Sequence, residues 1–241
     1  MLHQTKGIVF HSLKYSESSV IVKIYTELFG LQSYLFRGVR NPKSKTKSAL
    51  FQPLTLLDLV VYHKEKHTLQ SVKEIRLAHP YHTIPFDIRR SSVAIFINEL
   101  LYRSIREEEA NPDLFEFIWE SCLLLDNTES TVSNFHLVFL LQLAIHLGIS
   151  PNQNYAPGLP LFNLREGNFQ HSIPDHPNYL DQEESAILNT LLRTPLGMQS
   201  LLELKAEIRS RMLETILLYY QLHLPGFKGV KSHHILHTVL S

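Results

Sequence analysis

Arg37, Arg40, Lys43, Lys45 and Lys47 stand close together in a stretch that holds no Asp or Glu; the nearest acids are Glu27 before it and Asp58 after it. Five cations so placed sustain a positive potential that no neighbouring carboxylate cancels. Gly38, Asn41, Pro42, Ser44 and Ser48 keep the stretch irregular, which leaves backbone amides available to phosphate oxygens. Tyr34 and Phe36 lead into it and Phe51 follows it. Aromatic rings beside cations suit single-stranded nucleic acid, because each base offers a π-face worth about 1–3 kcal/mol in stacking. The same two rings are what a small β-barrel would bury, so stacking platform and core both stay open for Tyr34 and Phe36.

Other chemistries find less support. No Gly-rich phosphate loop or nucleophile elbow is present, so no enzymatic activity and no cofactor is expected. Cys122 is the only cysteine, which excludes an internal disulfide and any multi-cysteine zinc site. Its place on a core-facing helical position makes it a small hydrophobe rather than a nucleophile. His233, His234 and His237 could share a helical face, but no carboxylate or cysteine near them in sequence completes a ligand set, so no metal is expected. Arg209, Arg211, Lys228 and Lys231 form the one sizeable cationic group of the acidic half, near Tyr219 and Phe227. They are the candidate dock for a partner's acidic, hydrophobic tail, with ordinary surface charge as the alternative.

The formal net charge is zero and conceals a segregation. Residues 1–80 carry 12 Lys and Arg against 5 Asp and Glu; residues 81–241 carry 11 against 18. A basic module for polyanions joined to an acidic body follows. With 44% apolar residues the chain can bury a substantial core. No apolar run is long enough for a signal or a membrane span, so a cytoplasmic protein is expected.

Patterning divides the chain into a domain at 1–80 and a second at 81–241. In the first, Val20, Val22 and Ile24 alternate with polar neighbours at the period of a half-buried strand. Lys6 to Leu13, Leu31 to Arg37, Leu54 to Tyr62 and Leu69 to Leu77 complete five strands, the fourth apolar enough to be buried on both faces. Five short strands fit an OB-fold barrel, and pattern alone admits an SH3-like barrel. After Pro80 to Pro85 the period becomes helical, with Val93, Phe96, Ile97, Leu100 and Leu101 on one face. Asn111 and Pro112 open a second helix, Phe135 to Leu147 reads as a helix buried all round, and a long helix is expected from about Gln199 to Leu224. Between them, 149–180 is irregular, with a small hairpin around Arg165-Glu166-Gly167 and a capping-box helix start at Asp181 and Glu184. The fold class is multidomain α+β: an N-terminal five-stranded OB-fold barrel, then an α-helical bundle with a hairpin insertion. Glu107 to Glu109 reads as a solvated helix end.

Several segments together resemble a known family. Tyr15-Ser16-Glu17-Ser18-Ser19-Val20-Ile21-Val22, continued by Tyr25-Thr26-Glu27-Leu28-Phe29-Gly30, is similar to the opening of the RecO family. So is Gly38-Val39-Arg40-Asn41-Pro42-Lys43-Ser44. Asn98-Glu99-Leu100-Leu101 and Pro112-Asp113-Leu114-Phe115 resemble its first bundle helices; Ser210-Arg211-Met212-Leu213, Tyr220-Gln221-Leu222-His223-Leu224 and Lys231-Ser232 resemble its C-terminal signature. The resemblance implies an OB-fold that binds single- and double-stranded DNA, with Arg37, Arg40 and Lys43 as contacts. It implies a bacterial, nucleoid-associated recombination mediator of the RecF pathway. Such a protein anneals strands, works with RecR, engages the C-terminal tail of single-stranded DNA-binding protein and indirectly helps RecA load. Many members carry a four-cysteine zinc site after the central helix; residues 149–180 hold no cysteine here, so the hairpin must be held by packing. An adaptor whose basic barrel binds acidic peptide tails is the alternative, because a basic loop accepts carboxylates as well as phosphates.

Overall fold

A computed structural model describes residues 1–39, 48–64 and 67–240. Five strands, β1 (Leu2–Lys14), β2 (Val20–Thr26), β3 (Gly30–Phe36), β4 (Leu56–Tyr62) and β5 (Gln70–Leu77), close into a barrel in the order β1-β2-β3-β5-β4. All pairings are antiparallel except β3 with β5, where Tyr34 faces Gln70 and Leu35 faces Ser71. This is the OB-fold order, and it settles the choice between barrels that pattern left open. Val9, Val22, Ile24, Tyr34, Phe36, Phe51, Leu57, Leu59 and Val61 fill the interior.

Three local irregularities shape the barrel, one of them a shift of the β4–β5 register at Lys73, between Val60↔Glu74 and Val61↔Val72. The β1–β2 register shifts at Phe10, between Val9↔Ile24 and His11↔Lys23. Asn98 donates through Nδ2 to the Phe10 carbonyl at 2.9 Å, and the Phe10 ring stacks on Tyr25 at 5.5 Å. The extra residue swaps the facing of everything after it in β1. Leu54 adopts φ 59° while buried. Its N–H donates to Val9 O at 2.8 Å and its carbonyl accepts from the Tyr81 hydroxyl at 2.7 Å. These contacts hold a conformation that costs a branched residue about 1–2 kcal/mol. The bend starts β4 at Leu56 instead of Leu54. Within β4, Asp58 and Tyr62 are exposed, so the strand buries chiefly one face rather than the two its apolar run suggested.

The chain forms two compact units, Met1–Phe86 with Ile97–Asn127, and Asp87–Phe96 with Thr128–Ser241. The first holds the barrel, the later part of α1 (Ile88–Ser104) and α2 (Pro112–Asn127). Asn111 caps α2 through Oδ1, which accepts from Leu114 N at 3.1 Å, and Leu114, Ile118, Cys122 and Leu125 face inward as their spacing predicts. Glu107 to Glu109 lie beyond α1, and their backbone serves the barrel: Leu31 N donates to Glu107 O at 3.0 Å.

The second unit holds α3 (Phe135–His146), α4 (Gln182–Arg193), α5 (Ala206–His223) and α6 (His233–Leu240). A small sheet, β6 (Leu161–Asn163), β7 (Asn168–Gln170) and β8 (Tyr179–Leu180), has the order β7-β6-β8. The hairpin gains a third strand, and packing holds it: Phe162 lies 4.8 Å from Phe169 and 6.1 Å from Tyr219, ring to ring. Asp181 caps α4, accepting from Glu184 N at 2.9 Å. The single helix expected from Gln199 is instead a 3₁₀ turn (Leu196–Leu201), an extended link and then α5. Buried Asn134 donates to the carbonyls of Gln199 (3.2 Å) and Leu202 (2.7 Å), which a continuous helix would need for itself.

Candidate nucleic-acid interface

Arg37 follows the last residue of β3 and is exposed, with no carboxylate paired to it among the described residues. It opens the cationic stretch; Arg40, Lys43, Lys45 and Lys47 lie outside the described residues. Tyr34 and Phe36 are in the barrel core, 0% and 6% exposed, with Phe36 packed on Phe51 at 4.5 Å between ring centroids. Burial also pushes the Tyr34 hydroxyl well above the usual phenol range. Neither ring has a face to offer a base, which corrects the stacking role. Strand geometry explains the outcome: alternate side chains point to opposite faces, so Tyr34 and Phe36 cannot share a side with Arg37.

The residues that do share its side follow from the register. Leu13 faces Ile21, Ile21 faces Leu35, and Leu35 faces Ser71, forming one row across β1, β2, β3 and β5. Cross-strand partners project from the same face, and this face is the outer one: Leu13 is 57% exposed and Ile21 and Leu35 are half-buried. The neighbouring row, His11, Lys23 and Ser33, is partly roofed by Tyr102, whose ring stacks on His11 at 4.8 Å and lies 5.9 Å from Lys23 Nζ. On the other side, Arg37 lies two residues beyond Leu35, and Lys73 follows Ser71 and Val72 at the point where the β4–β5 register shifts. Lys73 is exposed and has only a 3.9 Å approach to its neighbour Glu74. Lys14 ends β1 at the same edge, opposite Val20, and Tyr15 after it is 61% exposed. Sequence reasoning did not single out Lys73 and Tyr15 at this edge; Lys14, opposite Val20 and through it Phe36, falls on the other row. Only the register reveals the first two, because Lys73 is far from the cationic stretch along the chain.

The Glu107 to Glu109 acids are kept away from this edge, whereas Glu17 lies in the loop after Tyr15 and Glu74 follows Lys73. The Glu107 to Glu109 segment meets the barrel at the start of β3, where Gln32 Nε2 also donates to Glu108 O at 3.4 Å. Arg37 is at the other end of that strand, about 20 Å away, beyond the screening length of physiological salt. Lys64 is tied by its backbone to the Gln70 side chain, with N donating to Oε1 at 3.0 Å and O accepting from Nε2 at 2.9 Å. It follows His63, whose ring stacks on Phe29 at 3.9 Å in the turn before β3. Lys6 reaches the Trp119 ring at 5.0 Å.

The second cationic group separates into two kinds. Arg209 turns inward, donating to Leu204 O at 2.9 Å and to Leu240 O, and burial lowers its pKa. Arg211 pairs with Glu184 at 3.2 Å. Lys228 and Lys231 are exposed. His237 Nδ1 lies 2.6 Å from Ser210 Oγ and its Nε2 lies 3.7 Å from Glu214, a small polar cluster that fastens α6 to α5. Among the described residues no group of three His, Cys, Asp or Glu could hold a metal ion, and no helix is long and apolar enough to cross a membrane.

Comparison with known proteins adds to this geometry. Residues 1–81 match the family model for the Recombination protein O N terminal region, and residues 85–233 match that for its C terminal region. A DNA repair protein RecO of Bacteroides fragilis is 39% identical over 233 residues, covering 96% of both chains. One of Phocaeicola vulgatus is 37% identical over 242 residues and covers 100% of each, and one of Flavobacterium psychrophilum is 37% identical over 241 residues at 99% coverage.

Proposed function

The chain belongs to the Recombination protein O (RecO) family, and on that premise we propose that it is a non-enzymatic mediator of DNA repair and recombination that binds DNA through its barrel. The observation that carries the reading is the exposed Arg37 at the edge of an open barrel face, opening a run of five cations with no acid among them. Electrostatic attraction of this kind holds phosphates without selecting sequence. That is what a protein handling arbitrary repair intermediates requires. Annealing of complementary strands follows if two strands are held with their charges neutralised and their bases accessible.

Family membership supports RecR as a direct partner, the C-terminal tail of single-stranded DNA-binding protein as a docked ligand, and RecA loading as the outcome. Arg209 turns inward and the exposed Arg211 pairs with Glu184, so tail docking there rests first on exposed Lys228.

Binding to a single-stranded oligonucleotide across a salt series tests the reading. If Arg37, Arg40, Lys43, Lys45 and Lys47 each neutralise one phosphate, log K falls against log[salt] with a slope of about −3.5. Arg40→Ala with Lys43→Ala shallows that slope by about 1.4 and weakens all sequences alike. An unchanged slope moves the contact elsewhere, and binding to acidic peptides alone would favour an adaptor. Purified protein is expected to show no nuclease, helicase or ATPase turnover.

A further inference from the structure

In the second unit, α6 covers a floor whose chemistry does not match its own. Its eight residues are too few to hold a helix unaided, so its place depends on what lies beneath it. It buries Leu236 and Leu240, one turn apart, against His136 of α3 and Arg209 and Ser210 of α5. Between them is a cavity of about 10 Å³, lined also by Leu213 and His237, with room for one atom-sized guest. His136 is 2% exposed, and its Nδ1 has no hydrogen-bond partner among the described residues. A buried polar atom left in that state is costly unless a guest beside it completes its bonding.

The polar groups around this space have donors in excess. A guanidinium carries five N–H donors and no acceptor, and Arg209 uses two of them on the Leu204 and Leu240 carbonyls. Ser210 Oγ lies 2.6 Å from His237 Nδ1; with a proton on that nitrogen, the hydroxyl's own hydrogen turns to the cavity. Glu207 acts on Arg209 and Glu214 on His237, but both acids are exposed, and among the described residues no carboxylate lines the cavity. Burial first, then the charges of Arg209 and His237, bring the His136 imidazole down to about 3, so the space disfavours a further cation.

We propose that this cavity binds one small monovalent anion of halide size, held by Arg209, Ser210 and His136 and enclosed by α6. A water molecule brings as many hydrogens as lone pairs, whereas this cluster lacks acceptors and carries positive charge. An anion supplies both needs at once, and His136 meets it with Nδ1–H. Because the guest lies beneath Leu236 and Leu240, it is held while α6 is docked and leaves when α6 lifts. Anion binding and α6 docking therefore stabilise each other. The site stands apart from DNA contact and does not depend on it.

Bromide and chloride are the probes. Crystals of the full chain grown in sodium bromide should show an anomalous scattering peak in contact with Arg209, Ser210 and His136. In solution, without DNA, sodium chloride should raise Tm by about 3–6 °C over sodium gluconate at equal ionic strength, because a ligand that binds only the folded state stabilises it. Ser210→Ala removes one donor at a half-buried position without crowding the site. It should lose most of the chloride effect and keep its Tm in gluconate. Density for a water alone, with no anomalous peak in the cavity, overturns the proposal. A chloride effect of equal size in Ser210→Ala and the unaltered protein overturns it too, since the effect then belongs to the surface at large. Should Ser210→Ala not fold, the bromide crystal of the unaltered protein decides by itself.

Discussion

Thr83 donates both its backbone N–H, at 2.9 Å, and its hydroxyl, at 3.1 Å, to one oxygen of the Asp126 carboxylate. His82 N (2.9 Å to Oδ2) and Ile84 N (3.0 Å to Oδ1) donate to the same group, which is buried at the end of α2. Four donors from three consecutive residues thus fix the segment that leaves the barrel. A Pro-rich connection that reads as a simple boundary is anchored by one ion.

That anchor makes a pH signature. Burial works to raise the Asp126 pKa, but the backbone donors of His82, Ile84 and Thr83 and the Thr83 hydroxyl outweigh it and bring it down to about 2. A carboxylate whose folded pKa lies below its unfolded value of about 3.9 stabilises the fold above that value and loses the effect as pH falls through 2. The contribution is about 2 kcal/mol. Urea denaturation of Asp126→Asn at pH 7 should show a loss of at least that size, and its stability should vary less between pH 4 and 2 than that of the unaltered protein.

Gly30 has φ 60°, and a Cβ there would meet Glu109 O at 2.3 Å and Glu107 O at 2.7 Å. Both obstacles are backbone, so neither can swing aside. Gly30→Ala should cost about 2–4 kcal/mol in chemical denaturation. Gly38→Ala has φ 71° but nothing within 4 Å of its Cβ among the described residues, and should cost only about 1 kcal/mol. Similar losses for the two would show that the 107–109 segment does not press on the barrel.

Tyr34 tests the corrected assignment of the aromatic pair. Tyr34→Ala empties a core position and should destabilise by about 3–5 kcal/mol. At a temperature where it remains folded, its affinity for single-stranded DNA should equal that of the unaltered protein. A drop in affinity at unchanged stability would return the ring to the interface.

Cys122 is buried, and burial pushes its thiol up to about 12, against a smaller lowering from the Tyr81 hydroxyl. Iodoacetamide at pH 8 should therefore modify the native protein only as fast as it opens, and the denatured protein at once. Rapid native alkylation would place the thiol at the surface.

Much of this protein is determined by local chemistry that its residues declare. The acid-free run of cations, the Asn111 and Asp181 caps, the buried helix Phe135–His146 and five strands in the first 80 residues all depend on neighbours along the chain. What tertiary structure alone decided is which side each strand residue takes and where long elements break. The bulge at Phe10 reverses the facing of Leu13, and only pairing with β2 and β3 brings Leu13, Ile21 and Leu35 into one row. Asn134 takes the carbonyls that would have continued a helix through Leu202. Alternation specifies that two sides exist, but a side becomes interior or exterior only when partners from distant segments close the barrel, because burial is a property of the assembled surface rather than of any one strand.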